Sequence, residues 1–357
     1  MEGSVYEWLW PLVRLTPAEL AHRLGLLVLR APLRLGGSAV ADPFAWRGHR
    51  FRNRIGVAAG LDKNGEALTG LAGLGVGFIE VGTVLARPHG GNARPRLRRL
   101  EREHALWNRL GFPSEGAARV RDRIARTPLA DVALAINVAP HPLTVRSAEL
   151  EPGFAPRARA ELFEIAGRLH PWAAFFVLNL SSPNTPGLRR QLAGAGFADE
   201  LVAPLRAELA RLDARARRLA PTLLLVKLPP EDADGKLLDA DGLAGLVRPL
   251  LARDVCDGFV SSNTSAALAR TLAPMPEPEA PGGISGAPLR PLALEVIGAL
   301  AELAPDQLRI GVGGVLAAED AAALVRRGAH LVELYTGLVY RGPRLVRECA
   351  EAVRGAA

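Results

Sequence analysis

Only two cysteines, Cys256 and Cys349, occur in 357 residues. They cannot build a disulfide framework, and neither belongs to a CxxC that would mark a metal or redox site. The chain reads as one suited to a reducing compartment. No stretch approaches the roughly 20 apolar residues of a membrane-spanning helix. Glu2 and Glu7 precede the first apolar run and no small-residue cleavage site follows, so a secretory signal is not expected. Paired carboxylates and histidine clusters are missing among the motif residues, which makes glycosidase chemistry and metal-assisted hydrolysis poor fits. No metal site is expected. No short internal repeat appears.

What is present is a globular composition, with 49% hydrophobic and 23% charged residues. The net charge of +7 comes mostly from arginine, and the sequence pI is about 10.2. These residues are dispersed and accompany no recognisable binding motif, so a nucleic-acid partner is not expected. Two explanations stay open: the arginine bias of a GC-rich genome, or attraction to an anionic surface.

The first 38 residues stand apart. Tyr6, Trp8, Leu9, Trp10, Leu12, Val13 and Leu15 lead into a Thr16-Pro17 helix start, then Leu20, Leu24, Leu26, Leu27 and Leu29. Arg14, Arg23, Arg30 and Arg34 are interspersed. Short, Trp- and Leu-rich, Arg-studded helices are the pattern of an interfacial membrane element. A helical cap packed on the main domain has the same periodicity, because periodicity does not say what the apolar face touches.

From Arg54 onward, short apolar runs alternate with helical patterns. The strand candidates are Ile55–Ala59, Gly77–Val81, Ala133–Val138, Ala173–Leu178, Thr222–Leu228, Gly258–Ser262, Leu308–Val312 and His330–Tyr335. The helix candidates are Glu66–Leu74, Glu115–Arg126, Ala158–Leu169, Asp199–Leu219, Asp241–Leu251, Pro291–Leu303, Glu319–Arg327 and Pro343–Arg354. Repeated β-then-α units imply a parallel sheet, and eight of them predict an α/β fold closed as a (β/α)8 TIM barrel. An open doubly wound sheet is the alternative, weakened by the lack of GxGxxG after the first strand. The chain is expected to divide into residues 1–38, a helical segment, and 39–357, the barrel. Leu85–Arg99 reads as a hairpin excursion and Ala273–Gly283 as a long loop.

In such barrels the reacting groups sit at the carboxyl ends of the strands. Here those ends carry Gly60-Leu61-Asp62-Lys63, Gly82-Thr83, Asn137, Asn179 to Thr185, Lys227, Ser261-Ser262-Asn263-Thr264, Gly313-Gly314 and Tyr335-Thr336-Gly337. Glycine-rich turns after the last two strands are a usual phosphate site, where backbone N–H groups approach the oxygens. Gly282 to Gly286 adds a third such approach. With Lys227 they point to flavin mononucleotide (FMN) across the barrel mouth, the lysine compensating negative charge on the reduced ring. A structural ion pair with a carboxylate is the plainer reading of Lys227. Asn108, Asn179, Asn184 and Asn263 each offer donor and acceptor groups, suited to a flat ligand with alternating N–H and C=O edges, and Lys63 suits a carboxylate. A cyclic amide acid meets both demands. His141, a lone loop histidine between prolines, reads as inert, and His104 and His170 have no partners in sequence.

Asn179-Leu180-Ser181-Ser182-Pro183-Asn184-Thr185-Pro186-Gly187 resembles, nearly letter for letter, the catalytic loop of dihydroorotate dehydrogenases. Gly60 to Lys63, Val81 to Thr83, Asn108 to Phe112, Ser262 to Thr264, Gly282 to Gly286, Gly311 to Gly314 and Leu334 to Thr336 match in order and context, over about residues 40 to 350. The soluble enzymes of that family most like this chain use a cysteine base; the membrane-associated, quinone-reducing class uses serine, and here Ser182 stands in that place. The N-terminal helices match the extension of the quinone-dependent class.

The resemblance implies oxidation of dihydroorotate to orotate in pyrimidine biosynthesis, with FMN as hydride acceptor and a membrane quinone as final oxidant. It also implies peripheral association with the cytoplasmic side of the cell membrane. It assigns Ser182 as the base, and Lys63, Asn108, Arg109, Leu110, Gly111, Phe112, Asn179, Asn184, Asn263 and Thr264 to the substrate. To the flavin it assigns Ala59, Gly60, Lys63, Thr83, Asn137, Asn179, Lys227, Ser262, Gly286, Gly314, Tyr335 and Thr336.

Three positions depart from the family pattern. Asn137 to Pro142 replaces the usual Gly-Lys-Asn turn, Pro113 stands where Asn is usual after Phe112, and Ser262 replaces Thr while keeping the hydroxyl. A related flavin barrel acting on another pyrimidine, or a membrane-bound flavoprotein without catalysis, are the alternatives; the second would not need Ser182 and four asparagines.

Overall fold

Alternation along each central strand decides which side chains enter the barrel. In a computed structural model that describes residues 5–32, 39–129, 131–147, 154–185, 187–193, 196–232, 234–273 and 282–356, the chain opens with helices α1 (Val5–Leu15) and α2 (Ala18–Leu29). A short antiparallel hairpin follows, β1 (Phe44–Trp46) and β2 (His49–Phe51). Then come β3 (Ile55–Val57), α3 (Leu68–Ala72), β4 (Phe78–Val84), β5 (Leu97–Leu100), β6 (Ala105–Asn108), α4 (Ala117–Ile124) and β7 (Ala133–Val138). The middle of the chain gives α5 (Pro142–Ser147), α6 (Phe154–Leu169), β8 (Phe175–Asn179), α7 (Leu188–Ala193), α8 (Ala203–Ala216), β9 (Leu223–Leu228), α9 (Ala240–Ala252), β10 (Gly258–Ser261) and α10 (Ala266–Leu272). The last part holds β11 (Gly283–Gly286), α11 (Arg290–Leu303), β12 (Leu308–Val312), α12 (Ala318–Arg326), β13 (Leu331–Leu334), α13 (Thr336–Arg341) and α14 (Arg344–Arg354).

Eight parallel strands close into a barrel in the order β3, β4, β7, β8, β9, β10, β12, β13, with β13 returning to β3 through Val332 opposite Ile55. Each predicted barrel strand is present, displaced by no more than a few residues at its ends. Phe175 and Val177 of β8 and Leu223 and Leu225 of β9 point inward, while Phe176, Leu178, Leu224 and Val226 pack outward against the helices. This period of two carries on to the strand ends, where the inner row turns polar: Glu80, Asn137, Asn179, Lys227 and Glu333. The opposite end is plugged. Phe51, Phe78 and Phe175 meet with ring centroids 5.9 to 6.4 Å apart, and the β1–β2 hairpin lays Phe44 over them. Burying each of these rings contributes about 1.5–3 kcal/mol. The base is shut, so a ligand enters only at the polar mouth.

Three expectations need correction. The excursion predicted at Leu85–Arg99 forms its hairpin further on, as β5 and β6, and β11 joins it from the other side to make a three-stranded sheet over the mouth. The loop predicted to run to Gly283 ends earlier, because Gly283 begins β11; residues 274–281 lie outside the described residues. The helix predicted over Asp199–Leu219 starts as a π-type turn at Ala198–Val202 and stops at Ala216, where Arg217 turns left-handed.

The N-terminal helices dock on the mouth side. His22 Nε2 lies 2.7 Å from the Leu61 carbonyl, Glu19 accepts from Arg94 and Arg96 at 3.0 Å, and Arg99 donates to the Val13 carbonyl at 3.0 Å. Gly70 of α3 lets the backbone of Leu29 pass close by. Much of their apolar surface nevertheless faces outward: Trp8 and Leu15 are each 79% exposed, and Leu12, Leu24 and Leu27 are exposed as well. They are thus both a cap and an apolar surface.

Candidate active site

The mouth holds a cavity of about 1050 Å³, part of it open to solvent. Its lining joins Ala59, Gly60, Lys63, Thr83, Asn108, Leu110, Gly111, Phe112, Asn179, Ser182, Asn184, Lys227, Ser262, Asn263, Thr264, Gly286, Gly314, Tyr335 and Thr336. Two predicted residues stand behind the wall. Asn137 lies beneath it, and the guanidinium of Arg109 turns away to donate to the Pro95 carbonyl at 3.1 Å and to lie over Trp107.

An amide mesh fixes one side of the cavity. Asn263 Nδ2 donates to Asn179 Oδ1 at 3.2 Å and to Ser181 Oγ at 2.9 Å. Asn179 Nδ2 donates to Asn137 Oδ1 at 3.2 Å, and Asn137 Nδ2 donates to Glu80 Oε1 at 2.6 Å. Across the mouth, Asn184 Nδ2 donates to Asn108 Oδ1 at 2.9 Å, and Asn108 donates to the Gly283 carbonyl at 3.2 Å. The amide orientations follow from this network. Asn184 Oδ1 is buried with no partner, an unusual cost of about 1–3 kcal/mol that a ligand donor would remove.

Ser182 is 5% exposed, and its Oγ accepts the backbone N–H of Asn184 at 3.2 Å. Thr185 Oγ1 is buried near by in the chain without a partner. Arg189 locks the loop from outside, donating to the Ser181 carbonyl at 3.1 Å while pairing with buried Glu231 at 2.7 Å. Pro186 of the same motif lies outside the described residues.

Lysines bracket the cavity. Burial, reinforced by the charge of Arg96, pulls Lys63 down to about 8. Lys227 is 5% exposed, and its Nζ stands 3.6 Å from Glu80 and 4.0 Å from Glu333. The structural ion pair and the position in the cavity therefore both hold. Among the described residues Lys227 donates no hydrogen bond to a protein group, so its N–H groups remain available.

The far end is built for close approach. Gly60, Gly286, Gly313 and Gly314 have φ of +96°, +96°, +132° and +75°, a region costly for other residues. Ser285 and Thr336 hydroxyls meet there at 2.8 Å. Leu106, Leu289, Val312 and Val315 supply an apolar middle. A group with a phosphate at one end and a flat ring at the other fits this lining. Ser285 and Glu333 were not anticipated; Glu333 follows from the barrel-strand alternation that also places Lys227, whereas Ser285 comes from β11 of the sheet over the mouth.

Outside the cavity, His141 stacks edge-on against His89 at 5.1 Å, and His170 Nε2 lies 2.7 Å from Asp213 Oδ1. Neither histidine lines the mouth. Among the described residues no group of three or more His, Cys, Asp or Glu side chains is placed to hold a metal ion.

A second cavity, about 1530 Å³ including open solvent, separates α1 and α2 from the barrel. Its walls are almost wholly apolar, with Leu9, Leu12, Leu24 and Val28 on one side and Leu61, Leu74, Leu338 and Val339 on the other. Leu97, Leu106 and Tyr335 line both cavities.

The model of the dihydroorotate dehydrogenase family matches residues 44–355. The chain belongs to the dihydroorotate dehydrogenase family. It is 38% identical to the dihydroorotate dehydrogenase (quinone) of Cupriavidus taiwanensis over 99% of this chain and 100% of that one. It is likewise 38% identical to the enzyme of the same name from Burkholderia cenocepacia strain J2315, over 98% of each chain. Among solved structures, the family member of Eimeria tenella in complex with ferulenol superposes with a TM-score of 0.78 at 28% identity, covering 94% of this chain and 90% of that one. The ligand-free form gives 0.75 at 29% identity over 94% and 93%. The match reaches through the N-terminal helices as well as the barrel.

Proposed function

We propose that this chain oxidises dihydroorotate to orotate and delivers the electrons to a quinone, a step of pyrimidine biosynthesis. The observation that carries the reading is one cavity uniting Ser182, the asparagine mesh and Lys63 with the glycine-lined far end and Lys227. Full-length likeness to proteins named dihydroorotate dehydrogenase (quinone) supports it.

The far end fits FMN, which Gly60, Lys227, Ser262, Gly286, Gly314 and Thr336 would hold with their neighbours. When bound, the flavin supplies a two-electron acceptor for hydride. The side chains do the rest. Lys63 pairs with the ring carboxylate of the substrate, and Asn108, Asn184 and Asn263 read its amide edges, with Asn184 Oδ1 taking the donor it lacks. Ser182 Oγ removes the proton on the carbon alpha to the ring carbonyl. Serine is a weak base and must be relieved of its proton as it reacts. The Asn184 N–H held by Oγ favours the alkoxide character of that moment, and the unpartnered Thr185 hydroxyl is the next acceptor in the chain of transfer. Phe112 and Leu110 keep bulk water out.

Residues 1–38 act as the quinone-access segment and 39–357 as the catalytic barrel. The second cavity accepts an apolar ring and tail, and Tyr335 and Leu106 form the partition across which electrons leave. Exposed Trp8, Leu12, Leu15 and Leu27 rest against a membrane surface from the cytoplasmic side, aided by nearby arginines. No helix among the described residues is long and apolar enough to cross a membrane.

Anaerobic mixing of the purified protein with dihydroorotate tests this. Bleaching of a bound yellow flavin, followed by recovery on adding a long-tailed quinone, is expected. A chain lacking residues 1–38 should still bleach but recover poorly with that quinone. Purified protein with no flavin, or flavin that dihydroorotate leaves yellow, would overturn the reading.

A further inference from the structure

At the cavity floor the barrel gathers two carboxyl groups and one ammonium. Glu80 and Glu333 are 0% and 1% exposed, and both direct their Oε2 atoms at Lys227 Nζ. The two carboxyls thus crowd a single ammonium, one at 3.6 Å and the other at 4.0 Å. Glu80 has further support, since Asn137 donates to its Oε1. Glu333 has none: both its oxygens lack a hydrogen-bond donor. Its neighbours in register are Val312 of β12 and Gly56 of β3, which carry no charge and no side-chain donor.

Two carboxylates facing one buried ammonium would leave a net negative charge in a medium that penalises it. Two like charges sharing one buried site do not both ionise; one keeps its proton. The asymmetry of support says which. We propose that Glu333 remains a neutral acid whose O–H donates a hydrogen bond to Glu80, so that the floor under Lys227 is a balanced trio of one ammonium, one carboxylate and one carboxylic acid. Glu333 is then a positioning residue that acts through Lys227. While it holds its proton, the lysine's charge is free to answer negative charge arriving above it. Once it is deprotonated, the floor turns anionic and opposes that charge.

Burial, then the charge of Glu80, pushes Glu333 well above the ordinary carboxylate range, with Lys227 offsetting only part. Burial acts on Glu80 in the same direction but loses to Lys227 and the hydrogen bonds around it, which hold Glu80 low. The charged groups that act most on the pair are the two carboxyls themselves and Lys227. The consequence for redox chemistry rests on the flavin reading; the protonation state does not.

Infrared spectroscopy of the full-length holoenzyme at neutral pH decides the matter. A C=O stretching band of a buried carboxylic acid should be present, shift in D2O, and vanish in Glu333→Gln. The glutamine side chain carries no charge and matches the acid in shape, so the variant should fold and retain its flavin as the parent does. Failure of E333Q to fold, absence of the band in the parent, or survival of the band in the variant each overturns the proposal. In a potentiometric titration, the parent's flavin midpoint should fall more steeply with pH above the point where Glu333 deprotonates, and E333Q should lack that break. Identical slopes for both across the folded pH range would also overturn it. If the protein carries no flavin, the function is misread, yet the infrared result still stands or falls alone.

Discussion

Replacing Gly70 with alanine should loosen the N-terminal helices while leaving the barrel sound. A Cβ at this position would lie 2.1 Å from the carbonyl oxygen of Leu29, 2.7 Å from its carbon and 2.8 Å from its Cα. All three are backbone atoms at the end of α2, so no rotamer relieves the clash. Ordinary contact between such atoms is about 3.5–4.0 Å, which asks α2 to withdraw by about 1 Å or more. The glycine is helical, so alanine itself favours α3 by up to about 1 kcal/mol. Moving α3 instead would disturb Leu68 and Leu71, which are buried in the core. The overpacking cost of about 1–3 kcal/mol therefore falls on docking, lowering its equilibrium constant by about 5- to 150-fold. Limited proteolysis within residues 16–32 should accelerate, and the KM for a long-tailed quinone should rise. Flavin bleaching by dihydroorotate and thermal unfolding of the barrel should stay as they were. If protease protection and quinone KM are both unchanged in G70A, the docking of α2 does not shape the second cavity as argued.

Ser182→Ala should keep its flavin but slow single-turnover reduction by about 10²–10⁴-fold, the loss expected of a general base; an unchanged rate in stopped flow removes Ser182 from the chemistry. Lys63, lowered to about 8 by burial, is an ammonium below that pH and a neutral amine above it. Affinity for the anionic substrate should therefore fall as pH rises through about 8, by up to about tenfold per unit, and Lys63→Met should bind weakly with no such break in equilibrium titrations. Lys227→Met should lose flavin and thermal stability together, since removing one partner of a buried ion pair costs about 3–5 kcal/mol. Adding Glu80→Gln to K227M should restore the melting temperature without restoring flavin; recovery of both would mean that Lys227 serves only the fold.

Local pattern is enough to find the barrel, because each strand is a short apolar run bounded by turn residues. Ala133–Val138 and Leu308–Val312 are legible to the residue. The active-site loop is legible for a different reason: hydroxyls, amides and prolines crowd directly after an apolar strand. Parity along a strand also assigns residues to a common face. Leu223, Leu225 and Lys227 share one, as do Phe78 and Glu80, or Leu331 and Glu333. What parity leaves open is that β4, β9 and β13 bring Glu80, Lys227 and Glu333 to one point; only closure of the barrel decides that. Pairing of β6 with β11 joins Asn108 to Gly283 across 175 residues, and no local signal records such a bond. The N-terminal helices show the same division. Their periodicity declares an apolar face, but a face can meet a barrel, a membrane or a ligand. The tertiary structure sets part of it against the barrel, leaves part exposed and keeps a cavity between, because packing depends on the partner surface as much as on the helix that meets it.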